Sequence, residues 1–99
     1  MKEFKGTPGP WVADKTSRAV GPISRDDDQS YGMVIPVAWI EFDQEVEIHE
    51  SNQNLIAAAP ELLEALQRMV NKAHKQNWND AYPEELQSAQ AAINKALGE

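Results

Sequence analysis

The chain has 99 residues, of which 41% are hydrophobic and 25% are charged, fractions that are typical of a folded globular protein rather than a disordered one. It contains no cysteine, which excludes disulfides, thiolate zinc sites and cysteine nucleophiles. Sixteen acidic and nine basic residues give a formal net charge of −7, which disfavours sequence-independent binding to the phosphates of nucleic acids.

The length predicts a single domain over residues 1–99, because so short a chain cannot build a second hydrophobic core. The N-terminus has no apolar run of the secretory type, and no stretch approaches the roughly 18 apolar residues that a membrane span needs. We therefore expect a cytoplasmic protein.

Residues 1–10 are predicted to form an extended arm, because Thr7-Pro8-Gly9-Pro10 contains two prolines that restrict themselves and the residues before them. A β region is predicted over residues 11–50. Its first strands are expected at residues 11–14 and 19–24, and the second is interrupted by Gly21-Pro22, which predicts an edge position or a bulge.

The strongest strand signal covers residues 31–42, an almost continuous run of apolar, β-branched and aromatic residues. Apolar and acidic residues then alternate from Ile40 to Ile48. This two-residue period predicts a half-buried strand, either as one long strand or as a hairpin that turns near Asp43 and Gln44. The β region is therefore predicted to be a small antiparallel sheet of about three strands.

The apolar period becomes helical from Ser51, a predicted N-cap, and indicates an antiparallel helical hairpin over residues 51–98. The first helix is expected to kink near Pro60, or to restart there as a new helix. Because strands precede helices along the chain, the fold class is predicted to be α+β, with the hairpin packed on one face of the sheet.

The second helix of the hairpin is expected to begin after a turn, with Asp80 as its N-cap, Pro83 in its first turn and Gly98 at its end. The predicted core of the hairpin includes Leu62, Leu63, Leu66, Met69 and Val70. Two helices over a small sheet leave apolar surface uncovered, and a homodimer formed through the hairpin would cover it.

Two segments of the chain resemble those of a family of small phage and prophage proteins. The first is the Thr-Pro-Gly-Pro-Trp motif from Thr7 to Trp11, and the second is the helical signature Asn-Leu-Ile-Ala-Ala-Ala-Pro-Glu-Leu-Leu-Glu-Ala-Leu from Asn54 to Leu66. The resemblance implies a phage accessory protein, and such proteins commonly bind and redirect host proteins, including defence systems. It implies no catalytic residue.

No pattern of residues indicates an enzyme, a cofactor site or a metal site. The acidic loop at residues 26–28 lacks the glycine and the glutamate of a calcium loop, since Tyr31 and Val37 stand at those positions. His49 and His74 lack metal-type spacing and are predicted to lie on the surface, and no nucleophile, oxyanion donor or Gly-rich phosphate loop accompanies them. We expect a non-enzymatic protein without a cofactor or metal.

One feature supports a specific binding hypothesis, a set of carboxylates at alternate positions after Ile40, which we call the acidic row. On an extended strand, alternate side chains are roughly 6.6 to 7 Å apart, close to the phosphate spacing of a nucleic-acid strand. The row could therefore mimic nucleic acid in the basic groove of a nucleic-acid-binding protein, or it could only keep an edge strand from pairing with copies of itself. The acidic row consists of Glu41, Asp43, Glu45 and Glu47, helped by Asp26, Asp27 and Asp28.

The leading hypothesis is a non-enzymatic phage accessory protein that binds a host or phage protein, for host takeover or to inhibit a defence system. Nucleic-acid mimicry by the acidic row is the first alternative. The second is a binder of small molecules or signal nucleotides, in which Trp39, Tyr31 or Trp78 stacks on a ring. Direct binding to nucleic acid or membrane is not expected.

Overall fold

The computed structural model describes residues 3–24, 32–77 and 80–99. That part of the chain contains three short strands followed by three helices, and the strands form one antiparallel sheet in the order β1-β2-β3. This confirms the predicted α+β fold with a sheet of about three strands. The elements are β1 (Val12–Asp14), β2 (Ala19–Gly21), β3 (Ala38–Trp39), α1 (Val46–Ala57), α2 (Ala59–Lys75) and α3 (Pro83–Leu97).

Contacts divide the chain into two compact units. The sheet unit is Thr7–Glu61 and contains the three strands and α1. The helical unit is Leu62–Glu99 together with the N-terminal residues up to Gly6. Each unit has buried apolar residues of its own, Val20 and Ile40 in the first, Val70 and Ile93 in the second.

The antiparallel pairing continues irregularly beyond β2 and β3. Val20 pairs with Ala38 and Ile23 pairs with Val34, so one segment advances by three residues while the other advances by four. The extra residue makes a bulge, and Pro36 lies within it. Proline has no N–H, and at this position the pairing between the two segments does not require one. The run over residues 31–42, predicted as one strand, therefore provides only β3 and an isolated bridge among the described residues.

Gly21 is required at this bulge because a Cβ atom there would overlap the backbone carbonyl oxygen of Ile35. The N–H of Ile35 donates to the carbonyl of Pro22 at 2.8 Å, and the N–H of Val37 donates to that of Val20 at 2.7 Å. β2 is the central strand of the sheet, so the edge position expected for it is wrong. The bulge lies opposite Gly21-Pro22, because the extra residue belongs to the segment that contains Pro36.

The strand predicted from Ile40 to Ile48 is wrong. No described residue after Trp39 belongs to a strand. Glu45 is an N-cap and α1 begins at Val46, so Ser51 lies inside the helix rather than at its start. The two buried residues of α1 are His49 and Gln53, which are one helical turn apart. Because this inner face is polar, a search for apolar periodicity misses the first turn of the helix.

Near Pro60 the chain breaks into two helices rather than continuing through a kink. α1 ends at Ala57 and α2 begins at Ala59, which places Pro60 in the first turn of α2, where its missing N–H is tolerated. The helices therefore begin at Val46 rather than at Ser51, and they number three in the described chain instead of the two of a hairpin.

The ends of α3 follow local chemistry. Pro83 occupies its first turn, as predicted, although the N-cap is Tyr82 and not Asp80. Gly98 has a φ of 82°, the left-handed conformation that glycine adopts without strain, and its N–H donates to the carbonyl of Lys95 at 3.2 Å. The predicted stop at Gly98 is therefore confirmed.

The predicted core of the helical region is only partly correct. Val70 is 1% exposed, and Leu63 and Leu66 are half-buried. Leu62 and Met69, however, are 53% and 62% exposed. In the described ranges, no helix has the length and apolar character required to cross a membrane.

Candidate functional site

The sheet carries a hydrophobic face that α1 does not cover. Residues that are directly paired point to the same face, so Val12, Asp14, Ala19 and Trp39 share one side of the sheet. Val20 lies on the other side, where it is completely buried and where α1 packs against β1 and β2. One face of the sheet therefore belongs to the core of the sheet unit, and the other, which α1 does not cover, is the open sheet face.

This open sheet face is a concave surface with a volume of about 650 Å³. Its large side chains are strongly solvent-exposed: Trp39 is 67% exposed and Met33 is 61% exposed, while Val12 and Ile23 are each 38% exposed. A contiguous exposed patch of this kind is typical of an interaction site. The open sheet face consists of Val12, Asp14, Ser17, Ala19, Ile23, Gly32, Met33, Val34, Pro36 and Trp39.

One end of the open sheet face is negatively charged. The hydroxyl of Ser17 and the backbone N–H of Thr16 donate hydrogen bonds to Asp14, and they lower the pKa of its carboxyl group below the usual value of 3.8. The N–H of Thr16 lies 3.0 Å from Oδ1 of Asp14. Asp14 is therefore ionised at neutral pH, beside apolar side chains that extend along the same face.

Gln53 of α1 holds this end of the sheet in place. Its side chain is fully buried, and Nε2 donates to the carbonyl oxygen of Asp14 at 2.8 Å and to that of Ala19 at 3.0 Å. Next to it, Nζ of Lys15 donates to Oδ1 of Asn54 at 2.6 Å. The sequence analysis did not predict a role for Gln53. Its position one turn after His49, which places both residues on the same helical face, was the pattern that could have indicated one.

The acidic row does not lie on one extended strand. Glu41 is exposed in a segment without strand structure, while Asp43 is half-buried and accepts the N–H of Glu45 on Oδ1 at 2.9 Å. Glu47 lies in the first turn of α1. The regular spacing that suggested a nucleic-acid mimic is therefore absent among these four residues, and Asp26 to Asp28 fall outside the described residues. Their role in partner binding stays a prediction.

A small cluster of Arg18, Phe42 and His49 anchors the segment between β3 and α1. The ring centroids of Phe42 and His49 are 5.6 Å apart, and Cζ of Arg18 lies 5.6 Å from the centre of the Phe42 ring. Nδ1 of His49 lies 3.1 Å from the carbonyl oxygen of Asp43. His49 is only 8% exposed, so its predicted surface position is wrong, whereas His74 is exposed as predicted.

Of the three aromatic residues considered for stacking, Trp39 lines the open sheet face, and Tyr31 and Trp78 fall outside the described residues. Within residues 3–24, 32–77 and 80–99, no group of three or more histidine, aspartate or glutamate side chains is arranged to hold a metal ion. Among its described residues, the open sheet face is hydrophobic and carries one carboxylate, that of Asp14, at one end, a chemistry that suits binding.

The model of a family described as Salmonella phage P22 protein Y8K6 matches residues 1–99. No curated protein and no solved structure matches the chain.

Proposed function

The chain belongs to this family of phage proteins, and on that premise we propose that it is a non-enzymatic accessory protein that binds a host or phage protein through its open sheet face. Host takeover and inhibition of a host defence protein are the roles that such binding would serve. The observation that carries the proposal is the exposure of Trp39, 67%, on a contiguous hydrophobic surface.

Trp39 has the properties of a binding hot spot. Tryptophan side chains dominate the energetics of many protein interfaces because they bury a large apolar area with few rotatable bonds. Leaving such a ring in water is unfavourable, by about 25 cal/mol for each Å² of apolar surface that could be buried. Met33, which lines the same face, is an adaptable side chain that can fit partners of irregular shape.

The charge of the open sheet face indicates the chemistry of the partner. A segment with aliphatic or aromatic side chains followed by a lysine or arginine would place its apolar part against Trp39 and Met33, and its cation against the ionised Asp14. The net charge of −7 would also accelerate the approach of a basic partner. We therefore expect a partner with a basic and hydrophobic docking segment.

The test is affinity capture from a lysate of Salmonella, the host named in the family's description. Wild-type chain is compared with Trp39→Ala and with Leu55→Ala as a matched control, because Leu55 on α1 is 65% exposed, nearly the same as Trp39. We expect a partner that is captured by wild type and by Leu55→Ala and is lost with Trp39→Ala, with a loss of about 2 kcal/mol or more in binding free energy.

Asp14→Asn is a second test of the open sheet face as the docking surface. It keeps the size of the side chain and removes its charge, so we expect it to weaken capture and to reduce the dependence of binding on salt concentration. A partner that Trp39→Ala binds as tightly as wild type would refute the open sheet face as the docking surface, and a lysate without any specific partner would refute the binding role.

A small ring-containing ligand is a second candidate, and the observation that favours it is also Trp39. The hollow of about 650 Å³ beside this ring falls in the size range of ligand pockets, roughly 300 to 1,000 Å³. Titration with a nucleotide panel, followed by tryptophan fluorescence, would show quenching that Trp39→Phe removes. Unchanged fluorescence across the panel would dismiss this candidate and leave protein binding in place.

A further inference from the structure

Three residues of the open sheet face form a row that crosses all three strands. Ala19 of β2 is paired directly with Asp14 of β1 and with Trp39 of β3, and all three line the open sheet face. Directly paired residues have their Cβ atoms roughly 4.5–5.5 Å apart, so those of Asp14 and Trp39 are about 10 Å apart with Ala19 between them. We call this row the cross-strand slot.

The middle residue of the cross-strand slot is small and the outer two are larger. Ala19 has only a methyl group and is 2% exposed, so it forms a floor between the two longer side chains. Trp39 is 67% exposed, which leaves most of its ring surface open to a ligand. The slot therefore has a carboxylate on one side and an indole ring on the other.

The carboxylate of Asp14 has no cation of the described chain beside it. Its hydrogen bonds come from Ser17 and Thr16, which are uncharged donors and keep it ionised by lowering its pKa. The two nearest cations in the sequence are engaged elsewhere: Nζ of Lys15 donates to a side chain of α1, and Nε of Arg18 donates to the backbone carbonyl that follows β3. Within the described residues, the negative charge of the slot is therefore uncompensated.

An aromatic ring and a carboxylate on either side of a small residue suit an arginine side chain. The guanidinium group is planar, so it can lie on the ring of Trp39 within about 6 Å of the ring centre and still direct N–H groups toward Asp14 at roughly 2.7–2.9 Å. These distances are compatible with the separation of about 10 Å between the two Cβ atoms. The ammonium group of lysine is a strongly hydrated point charge without such a plane, so it gains less from the ring.

We propose that the cross-strand slot binds an arginine side chain of the protein partner, with its guanidinium group stacked on Trp39 and hydrogen-bonded to Asp14. The inference rests on the proposed docking at the open sheet face, and it makes arginine, rather than any basic residue, the anchor of the docking segment. Apolar side chains of the same segment then lie against Met33 and Ile23, which line the same face.

Titration of the full chain with three short peptides tests the slot. The first is a leucine-arginine-leucine peptide with blocked ends, and the others carry citrulline or lysine in place of arginine. Citrulline keeps the planar end group and removes its charge. The reporter is the indole N–H signal of Trp39 in nitrogen-15 NMR spectra, identified by its absence in Trp39→Leu. We expect the arginine peptide to bind with a Kd of about 1 mM, about tenfold below that of the citrulline peptide and about threefold below that of the lysine peptide.

Variants locate the cation within the slot. In Asp14→Asn the arginine and citrulline peptides should bind within about twofold of each other, because the charge that distinguishes them has no partner. Trp39→Leu, followed through the backbone amide signal of Ala19, should weaken arginine binding about fivefold. The matched control is Glu61→Gln, which also removes one negative charge but lies exposed in the first turn of α2, outside the residues that line the open sheet face. Its preference for arginine over citrulline should stay within about twofold of wild type.

Equal dissociation constants for the arginine and citrulline peptides would overturn the proposal. So would a Trp39 indole signal that does not move at about 20 mM arginine peptide, well above the expected Kd, or a preference for arginine that persists in Asp14→Asn. The proposed function is judged separately, because capture from a lysate can depend on Trp39 whether or not arginine is the anchor. A partner that is lost with Trp39→Ala, combined with equal binding of the arginine and citrulline peptides, would mean that the docking surface is right and the cross-strand slot is wrong.

Discussion

Gln53→Met should destabilise the sheet unit by about 2 kcal/mol. Nε2 of the buried Gln53 donates to two backbone carbonyls, those of Asp14 at 2.8 Å and Ala19 at 3.0 Å, which belong to neighbouring strands. Methionine is similar in length and fills the same space, but it has no N–H to donate. The substitution therefore removes two hydrogen bonds from the junction of α1, β1 and β2 without creating a large cavity.

The magnitude follows from the surroundings of the two carbonyls. A buried acceptor left without a donor costs about 1–3 kcal/mol. The carbonyl of Asp14 also accepts the N–H of Arg18 at 2.9 Å, so the free-energy cost of losing its bond from Gln53 is near the lower limit of this range. The cost of the same loss at the carbonyl of Ala19 lies near the middle of the range. Oε1 of Gln53 has no hydrogen-bond partner in the described part of the chain, and its removal returns about 1 kcal/mol.

Urea unfolding followed by far-UV circular dichroism measures this difference, and in thermal unfolding it corresponds to a decrease of about 10 °C in Tm. The matched control is Asn52→Ala, one residue earlier on α1 and exposed, which should change the free energy of unfolding by no more than about 0.5 kcal/mol. Equal midpoints for wild type and Gln53→Met would refute the reasoning, because they would mean that the two carbonyls do not depend on Gln53.

Three more substitutions have definite expected outcomes. Gly21→Ala should lower the free energy of unfolding by about 3 kcal/mol in urea, because the new Cβ would overlap the Ile35 carbonyl and the bulge must shift. Ile93→Ala, at a fully buried position of α3, should lower it by about 3 kcal/mol, mostly through the cavity it leaves. Asp14→Asn should make the free energy of unfolding depend less on pH below about pH 4. Folding lowers the pKa of the Asp14 carboxyl group, so the ionised group contributes stability above its unfolded pKa of 3.8, and this stability is lost as the pH falls through the folded pKa.

Each of these outcomes can be contradicted directly. A Gly21→Ala variant as stable as wild type would mean that the backbone at Ile35 can move without cost. A similar result for Ile93→Ala would remove Ile93 from the core of the helical unit. If wild type and Asp14→Asn lose stability in parallel below pH 4, the hydrogen bonds from Ser17 and Thr16 do not stabilise the ionised carboxylate.

Local signals predicted some elements well and others badly, and the difference has a physical cause. Pro83 and Gly98 mark the ends of α3 because a fixed φ and a left-handed φ are properties of single residues. The alternation from Ile40 to Ile48 suggested a strand because apolar residues recur every second position. The chain forms a helix from Val46 instead, and the two residues that α1 buries are polar. Gln53 finds its hydrogen-bond partners in the sheet, and His49 finds its partner at Asp43.

The candidate site was also predicted only in part from local sequence signals. The sequence identified Trp39 as a possible binding residue, but not the surface around it, because Val12, Ile23 and Met33 come together only through the irregular pairing of their segments. The acidic row depended on a continuous strand that the fold does not form. A row of alternating charges has meaning only after the backbone geometry between its members is known.

The amino-acid sequence by itself determined that strands precede helices, that the sheet is interrupted near Gly21-Pro22, and that the last helix stops at Gly98. These features arise from hydrophobic period and from the backbone limits of glycine and proline, which act over a few residues. Only the tertiary structure decided where α1 begins and which face of the sheet stays open. Those features depend on Gln53 reaching carbonyls that lie 34 and 39 residues away, a distance over which local preference carries no information.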